Sequence, residues 1–162
     1  MKRRIPKSPK EREKVFRELL SLSQKSERKI LFELGWGLKY EYAPKGVKFA
    51  IKGGLAGYMQ LGKTLGGALQ EELYHLFCDS ARKKPKTWVN ELMGGELRNL
   101  ALGLLVAVAK EYNVGLGIAV PAVAFVLKKK ISTFCSHPPH KRSQKSVSKI
   151  LAEEKTNAGT IE

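Results

Sequence analysis

The chain has 162 residues and a formal net charge of +15 at pH 7. Its length and its 43% of hydrophobic residues indicate one folded domain with a core that needs no metal or disulfide. Fourteen of the fifteen acidic residues are glutamate, so aspartate, which serves most often in magnesium, calcium and triad chemistry, is nearly absent. This composition disfavours an enzyme and indicates an anionic partner.

The chain begins with a basic segment, residues 1–8, which we expect to be a disordered arm. Ser8-Pro9-Lys10-Glu11 then matches a capping box, with the serine as N-cap and the proline at the first helical position. Apolar residues at helical spacing follow, so an amphipathic helix is predicted from about Pro9 to Ser23.

From Ile30 to Tyr42, apolar or aromatic residues alternate with polar residues and glycines, and the alternation resumes after the turn sequence APKG. This period of two, with two glycines that disfavour a helix, predicts a small β-hairpin over residues 36–52. An alternative interpretation places five residues of the region on one helical stripe: Val47, Ile51, Leu55, Tyr58 and Leu65.

Leucines and tyrosines spaced three to four residues apart predict a helix that extends to Leu76. Glycine pairs four positions apart within it, Gly53/Gly57 and Gly62/Gly66, favour close contact with another helix, including self-association of the protein.

Two apolar runs, residues 100–109 and 114–127, are the most hydrophobic part of the chain. A membrane-spanning helix needs about 20 apolar residues, so both runs are too short to span. We therefore expect residues 97–127 to form a buried pair of helices at the centre of the domain. An alternative is that this pair inserts into anionic membranes, guided there by lysines.

The predicted fold class is mainly α: a single-domain bundle of about five helices over residues 9–133. The hairpin at 36–52 and basic disordered termini accompany it. The segment 134–162 is expected to be a mostly disordered basic tail.

Two cysteines, Cys78 and Cys135, have no framework spacing, and no apolar stretch typical of a secretory signal follows the basic N-terminus. Reduced thiols and a cytoplasmic location are therefore predicted.

A phosphate-loop pattern, GxxxxGK[ST], occurs at Gly57, Gly62, Lys63 and Thr64. The strand that should precede it is interrupted by two glycines, and no strand ending in an acid follows. These four residues are a nucleotide-binding candidate of low specificity, and no cofactor is predicted.

Several potential zinc ligands are present, but neither group has the spacing of a zinc finger, so no metal is predicted. They are His75, Cys78, Cys135, His137 and His140.

Basic residues occur in clusters, which grip phosphates without reading sequence. The candidate nucleic-acid-binding residues are Lys2, Arg3, Arg4, Lys39, Lys45, Lys48, Lys52, Arg82, Lys83, Lys84, Lys86, Lys128, Lys129 and Lys130. The predicted function is therefore a non-enzymatic basic protein that binds nucleic acid or a ribonucleoprotein. The alternative is a helical effector that acts on anionic membranes.

Overall fold

The computed structural model describes residues 3–42, 54–140 and 145–159. In these ranges the chain forms eight helices and one two-stranded antiparallel sheet. In chain order they are α1 (Pro9–Ser23), α2 (Glu27–Tyr42), α3 (Gly54–Phe77), β1 (Cys78–Asp79), β2 (Lys84–Pro85), α4 (Thr87–Met93), α5 (Leu97–Tyr112), α6 (Leu116–Lys129), α7 (Ile131–Ser136) and α8 (Val147–Gly159).

The predicted fold class, mainly α with one small β-hairpin, is confirmed, but the predicted position of the hairpin is wrong. Residues 36–42 are the last turns of α2, and the sheet instead pairs Cys78 with Pro85 and Asp79 with Lys84. Residues 43–53, which include the remainder of the predicted hairpin and the start of the alternative stripe, lie outside the described residues.

The alternating pattern of α2 includes two glycines, and each of them lies where another helix packs against α2. A Cβ on Gly35 would collide with the carbonyl oxygen of Tyr58 in α3, and a Cβ on Gly37 would collide with that of Gly117 in α6. The two glycines of α2 therefore allow the backbones of both neighbours to approach closely. The close helix contact predicted from the α3 glycines is also present, since Gly62 lies against the carbonyl of Leu31.

Of the apolar pair, α6 lies inside the bundle as expected, whereas α5 is buried on one side and leaves Leu97 exposed. In α6 the side chains from Ile118 to Ala124 are all buried, and α1, α2 and α5 pack around the helix. Asn113 adopts a left-handed conformation that ends α5. Across the described ranges, no helix combines the length and the hydropathy that crossing a membrane requires.

Helix α1 has the predicted bounds, and its cap is the predicted serine. The backbone N–H of Glu11 donates to the Ser8 hydroxyl at 3.2 Å, and the Glu11 carboxylate accepts the Lys7 N–H at 3.1 Å. The expected disordered arm is instead packed from Arg3 onward. The carbonyl of Arg3 accepts the N–H of Leu116 at 2.9 Å, which joins the arm to the start of α6.

The segment expected to be a mostly disordered tail, 134–162, contains the end of α7 and the whole of α8. Helix α8 packs against α2 and α3 and buries Val147, Ile150 and Leu151. Its first backbone N–H donates to the Glu72 carboxylate at 2.6 Å, which places a negative charge at the positive end of the helix. These contacts were not predicted because α8 is too short and polar for its own sequence to indicate a stable helix.

Candidate nucleic-acid interface

The β1–β2 hairpin is a rigid turn that connects α3 to α4. Asp79, the only aspartate, organises it: one carboxylate oxygen accepts the N–H groups of Ala81 and Arg82 at 3.1 and 3.4 Å. The Asp79 carbonyl accepts the N–H of Lys83, whose φ of 55° is left-handed. The scarce aspartate therefore has a structural role typical of turns rather than a role in metal chemistry.

A disulfide fixes the hairpin from its buried side. Cys78 of β1 is bonded to Cys135 of α7, with a Cα–Cα distance of 5.3 Å, and both residues are buried. The prediction of reduced thiols is therefore wrong, because a sequence separation of 57 gave no sign that the two residues meet. The cytoplasmic location rested on reduced thiols, whereas disulfides persist mainly in oxidising compartments, and the location stays a prediction that cell fractionation can test.

The hairpin and α4 enclose an open cleft of about 860 Å³, which we call the basic cleft. Its lining residues are His75, Cys78, Asp79, Ser80, Arg82, Lys84, Pro85, Lys86, Thr87, Trp88, Asn90 and Glu91. Three of them are cationic without counting the histidine, and two are acidic. One ring, the half-buried Trp88, lies edge-on against Phe77 at a centroid distance of 5.9 Å, which fixes its orientation.

Of the cations that line the basic cleft, Arg82 and Lys84 are exposed and Lys86 is half-buried. Lys83 is exposed on the hairpin but does not line the cleft. Within the part of the chain that the structure describes, the only ion pair of these four residues joins Arg82 to Asp79 at 4.0 Å. Lys84 and Lys86 are thus available to an anionic ligand in the cleft.

Two other predicted residues serve the fold. The Arg3 guanidinium forms a two-pronged ion pair with Glu18 at 2.8 Å, and Lys39 pairs with Glu154 at 2.8 Å. The pair at Lys39 is largely shielded, since 26% of the lysine side chain and 11% of the glutamate side chain are exposed. Arg3 and Lys39 are therefore engaged in ion pairs within the fold.

The remaining predicted residues are dispersed. Lys128 donates to the carbonyl of Lys25 at 2.7 Å, Lys129 lies over the Phe125 ring at 4.7 Å, and Lys130 precedes α7. Arg4 is exposed on the arm. Lys2, Lys45, Lys48 and Lys52 lie outside the described residues.

The phosphate-loop candidate lies within the N-terminal half of α3. There the backbone N–H groups of Gly57, Gly62 and Lys63 belong to the helical hydrogen-bond ladder and are not turned toward a ligand. The Thr64 hydroxyl donates to the Gln60 carbonyl at 3.0 Å. A phosphate loop requires a strand, a loop and then a helix, so the match is a coincidence of letters.

The potential zinc ligands do not converge. Both cysteines are in the disulfide, and the His137 ring bonds locally to the Thr133 carbonyl and the Ser136 hydroxyl. Across residues 3–42, 54–140 and 145–159, no group of His, Cys, Asp and Glu could hold a metal ion.

Sequence reasoning missed the polar and aromatic half of the basic cleft: Ser80, Thr87, Trp88 and Asn90. A signal was present, because Trp88 follows the basic run RKKPK by two positions. Only the pairing of β1 with β2 brings the run beside α4.

Comparison of the chain with protein-family models, with curated proteins and with solved structures found no match.

Proposed function

We propose that this protein is a non-enzymatic nucleic-acid-binding protein and that the basic cleft holds the phosphate backbone. The observation that carries the proposal is the pair of lysines, Lys84 and Lys86, that line an open cleft beside Trp88 and form no ion pair among the described residues. Lysines neutralise phosphates as point charges, and an aromatic ring beside them offers a stacking surface for an unpaired base.

Hydroxyl and amide groups of the cleft suit the same ligand. Ser80, Thr87 and Asn90 line it and can donate to phosphate or sugar oxygens. A single-stranded substrate fits better than a duplex, because a base must be unpaired to reach a half-buried ring. The ligand class is therefore a single-stranded region of DNA or RNA, free or within a ribonucleoprotein.

The test is a salt titration of binding to a fluorescent single-stranded oligonucleotide, made once as DNA and once as RNA. Replacing Lys84 and Lys86 by alanine should lower affinity at low salt and reduce the slope of log K against log salt by about 1.4. Replacing Lys110 and Lys155 by alanine is the matched control, since it removes the same charge from exposed positions outside the cleft. The control should lower the slope much less.

Equal effects of the two double variants would show that binding depends on total charge and not on the cleft. No binding by the parent protein at low salt would end the proposal. Thermal unfolding checks that the variants fold. We expect that they do, because none of these four side chains forms part of the hydrophobic core.

The alternative function, insertion of residues 97–127 into anionic membranes, stays a prediction. Because α6 is almost wholly buried, insertion would require the bundle to open and α1 and α2 to leave the pair. Release of a dye from anionic vesicles, reduced by a charge at Val123, would support it.

A further inference from the structure

A second surface crosses the N-terminal parts of α2 and α3, away from the basic cleft. It is an open groove of about 710 Å³, and we call it the α2–α3 surface. Its lining residues are Ser26, Arg28, Lys29, Phe32, Leu55, Ala56, Met59, Gln60 and Lys63.

Large apolar side chains project from this surface. Leu55 is 73% exposed, the most of any large hydrophobic residue described, and Trp36 beside the groove is 43% exposed. A continuous row of rings connects the groove to the tryptophan: the centroids of Phe32 and Tyr58 are 5.8 Å apart, and those of Tyr58 and Trp36 are 5.2 Å apart. Tyr58 itself is buried, but leaving Leu55 and Trp36 in water is unfavourable, which indicates a partner that covers them.

Among the described residues, the charges that line the groove all have one sign. Arg28, Lys29 and Lys63 are exposed, and no carboxylate from the described ranges is in the lining. Lys29 is the only one with an ion pair among the described residues, to Glu33 at 2.9 Å, and it also lies 5.3 Å from the centroid of the Phe32 ring. The partner must therefore combine negative charge with apolar material.

We propose that the α2–α3 surface docks onto an anionic lipid bilayer at the level of the headgroups. A second copy of this surface would bring like charges together, and the chain's own segment 43–53 carries three lysines and no acid. Nucleic acid offers the charge but little apolar material to cover Leu55 and Met59. A bilayer interface supplies both.

The positions of the exposed apolar residues also fit the flat, deformable surface of a bilayer better than a peptide that would fill a groove. Leu55 is exposed at the first turn of α3, and Trp36 lies outside the groove, where it lines a smaller cleft with Glu18 and Glu33. A tryptophan places its apolar body among acyl chains and its N–H among headgroups, while lysine stems lie along apolar surface with the charge in water. This docking leaves α5 and α6 in the core.

The experiment is co-sedimentation of the full chain with vesicles of phosphatidylcholine alone and of phosphatidylcholine mixed with phosphatidylserine. We expect binding to the mixed vesicles only. Leu55→Glu and Lys63→Glu should each weaken it by about tenfold or more, through loss of apolar burial and reversal of charge. Matched controls are Leu97→Glu, at a 51% exposed leucine on α5, and Lys110→Glu, which should change it about twofold or less.

Equal losses in test and control variants would overturn the proposal, as would binding to phosphatidylcholine alone that the variants leave unchanged. The same four proteins are then titrated with the oligonucleotide. Loss of oligonucleotide affinity in Leu55→Glu matching its loss of vesicle binding would assign the surface to nucleic acid and overturn the lipid proposal. Vesicle binding that survives in the Lys84/Lys86 variant separates this surface from the basic cleft.

Discussion

Helix α2 and the β1–β2 hairpin are attached to the rest of the fold in different ways. Helix α2 is in direct backbone contact with two neighbouring helices, and these leave no room for a side chain at Gly35 or Gly37. At the hairpin the attachment is covalent and comes from one side, through Cys78 and Cys135, while the lysines on the other side face water.

Because of this difference, substitutions at the α2 crossings should change mainly the stability, and substitutions at the hairpin lysines should change mainly the binding. Changes at the α2 crossings disturb backbones that lie in direct contact, whereas changes at the hairpin lysines leave the disulfide and the Asp79 turn in place. The hairpin can therefore carry unpaired cations without weakening the fold, and its surface can be altered to test function alone.

The largest effect is expected at the crossing of α2 with α6. Gly37→Ala would place a methyl group against the carbonyl of Gly117, and both groups belong to backbones that are fixed by their helices. Helix propensity alone favours alanine by about 1 kcal/mol, but separating the two helices should cost about 3 kcal/mol or more. Urea unfolding should therefore show a large net destabilisation.

The control for this prediction is the same substitution where space is open. A Cβ on Gly67, an exposed position within α3, would meet no atom within 4 Å. Gly67→Ala should stabilise the protein by about 0.5–1 kcal/mol through helix propensity. If both substitutions stabilise, the close crossing at Gly37 does not exist in solution.

The disulfide should have the next largest effect. Replacing Cys78 and Cys135 by serine opens a loop with a sequence separation of 57, which should lower the free energy of unfolding by about 2–4 kcal/mol. Adding dithiothreitol to the parent protein should produce a comparable loss and should leave the serine variant unchanged. A parent that melts identically with and without reductant would contradict the bond.

Sequence reasoning succeeded where one local signal decided the structure. The bounds of α1 follow from its capping box and apolar stripe, and the central position of residues 97–127 follows from two apolar runs too short to span a bilayer. These features need no knowledge of distant parts of the chain.

Sequence reasoning failed where the structural role of a residue depends on a part of the chain that is distant in sequence. Gly35 and Gly37 oppose a helix by propensity, but the carbonyls of Tyr58 and Gly117 make glycine the residue that fits there. The burial of α8 depends in the same way on Glu72, 75 positions earlier. Of the candidate site, the cations from Arg82 to Lys86 were predicted, whereas the cleft around them depends on the pairing of β1 with β2.

The smallest effect is expected for Arg3, which was predicted to bind nucleic acid but forms an ion pair with Glu18 within the fold. Its hydrogen bonds lower the pKa of Glu18 below the ordinary value of 4.5. Because the folded pKa is the lower one, this pair stabilises the protein above about pH 4.5, and the contribution is lost as pH falls through the folded pKa. Both side chains are more than a third exposed, so a double-mutant cycle of Arg3→Met and Glu18→Gln should give only about 0.5 kcal/mol at pH 7. The coupling should approach zero at pH 2, and a coupling that is unchanged there would mean that the two residues interact through packing and not through charge.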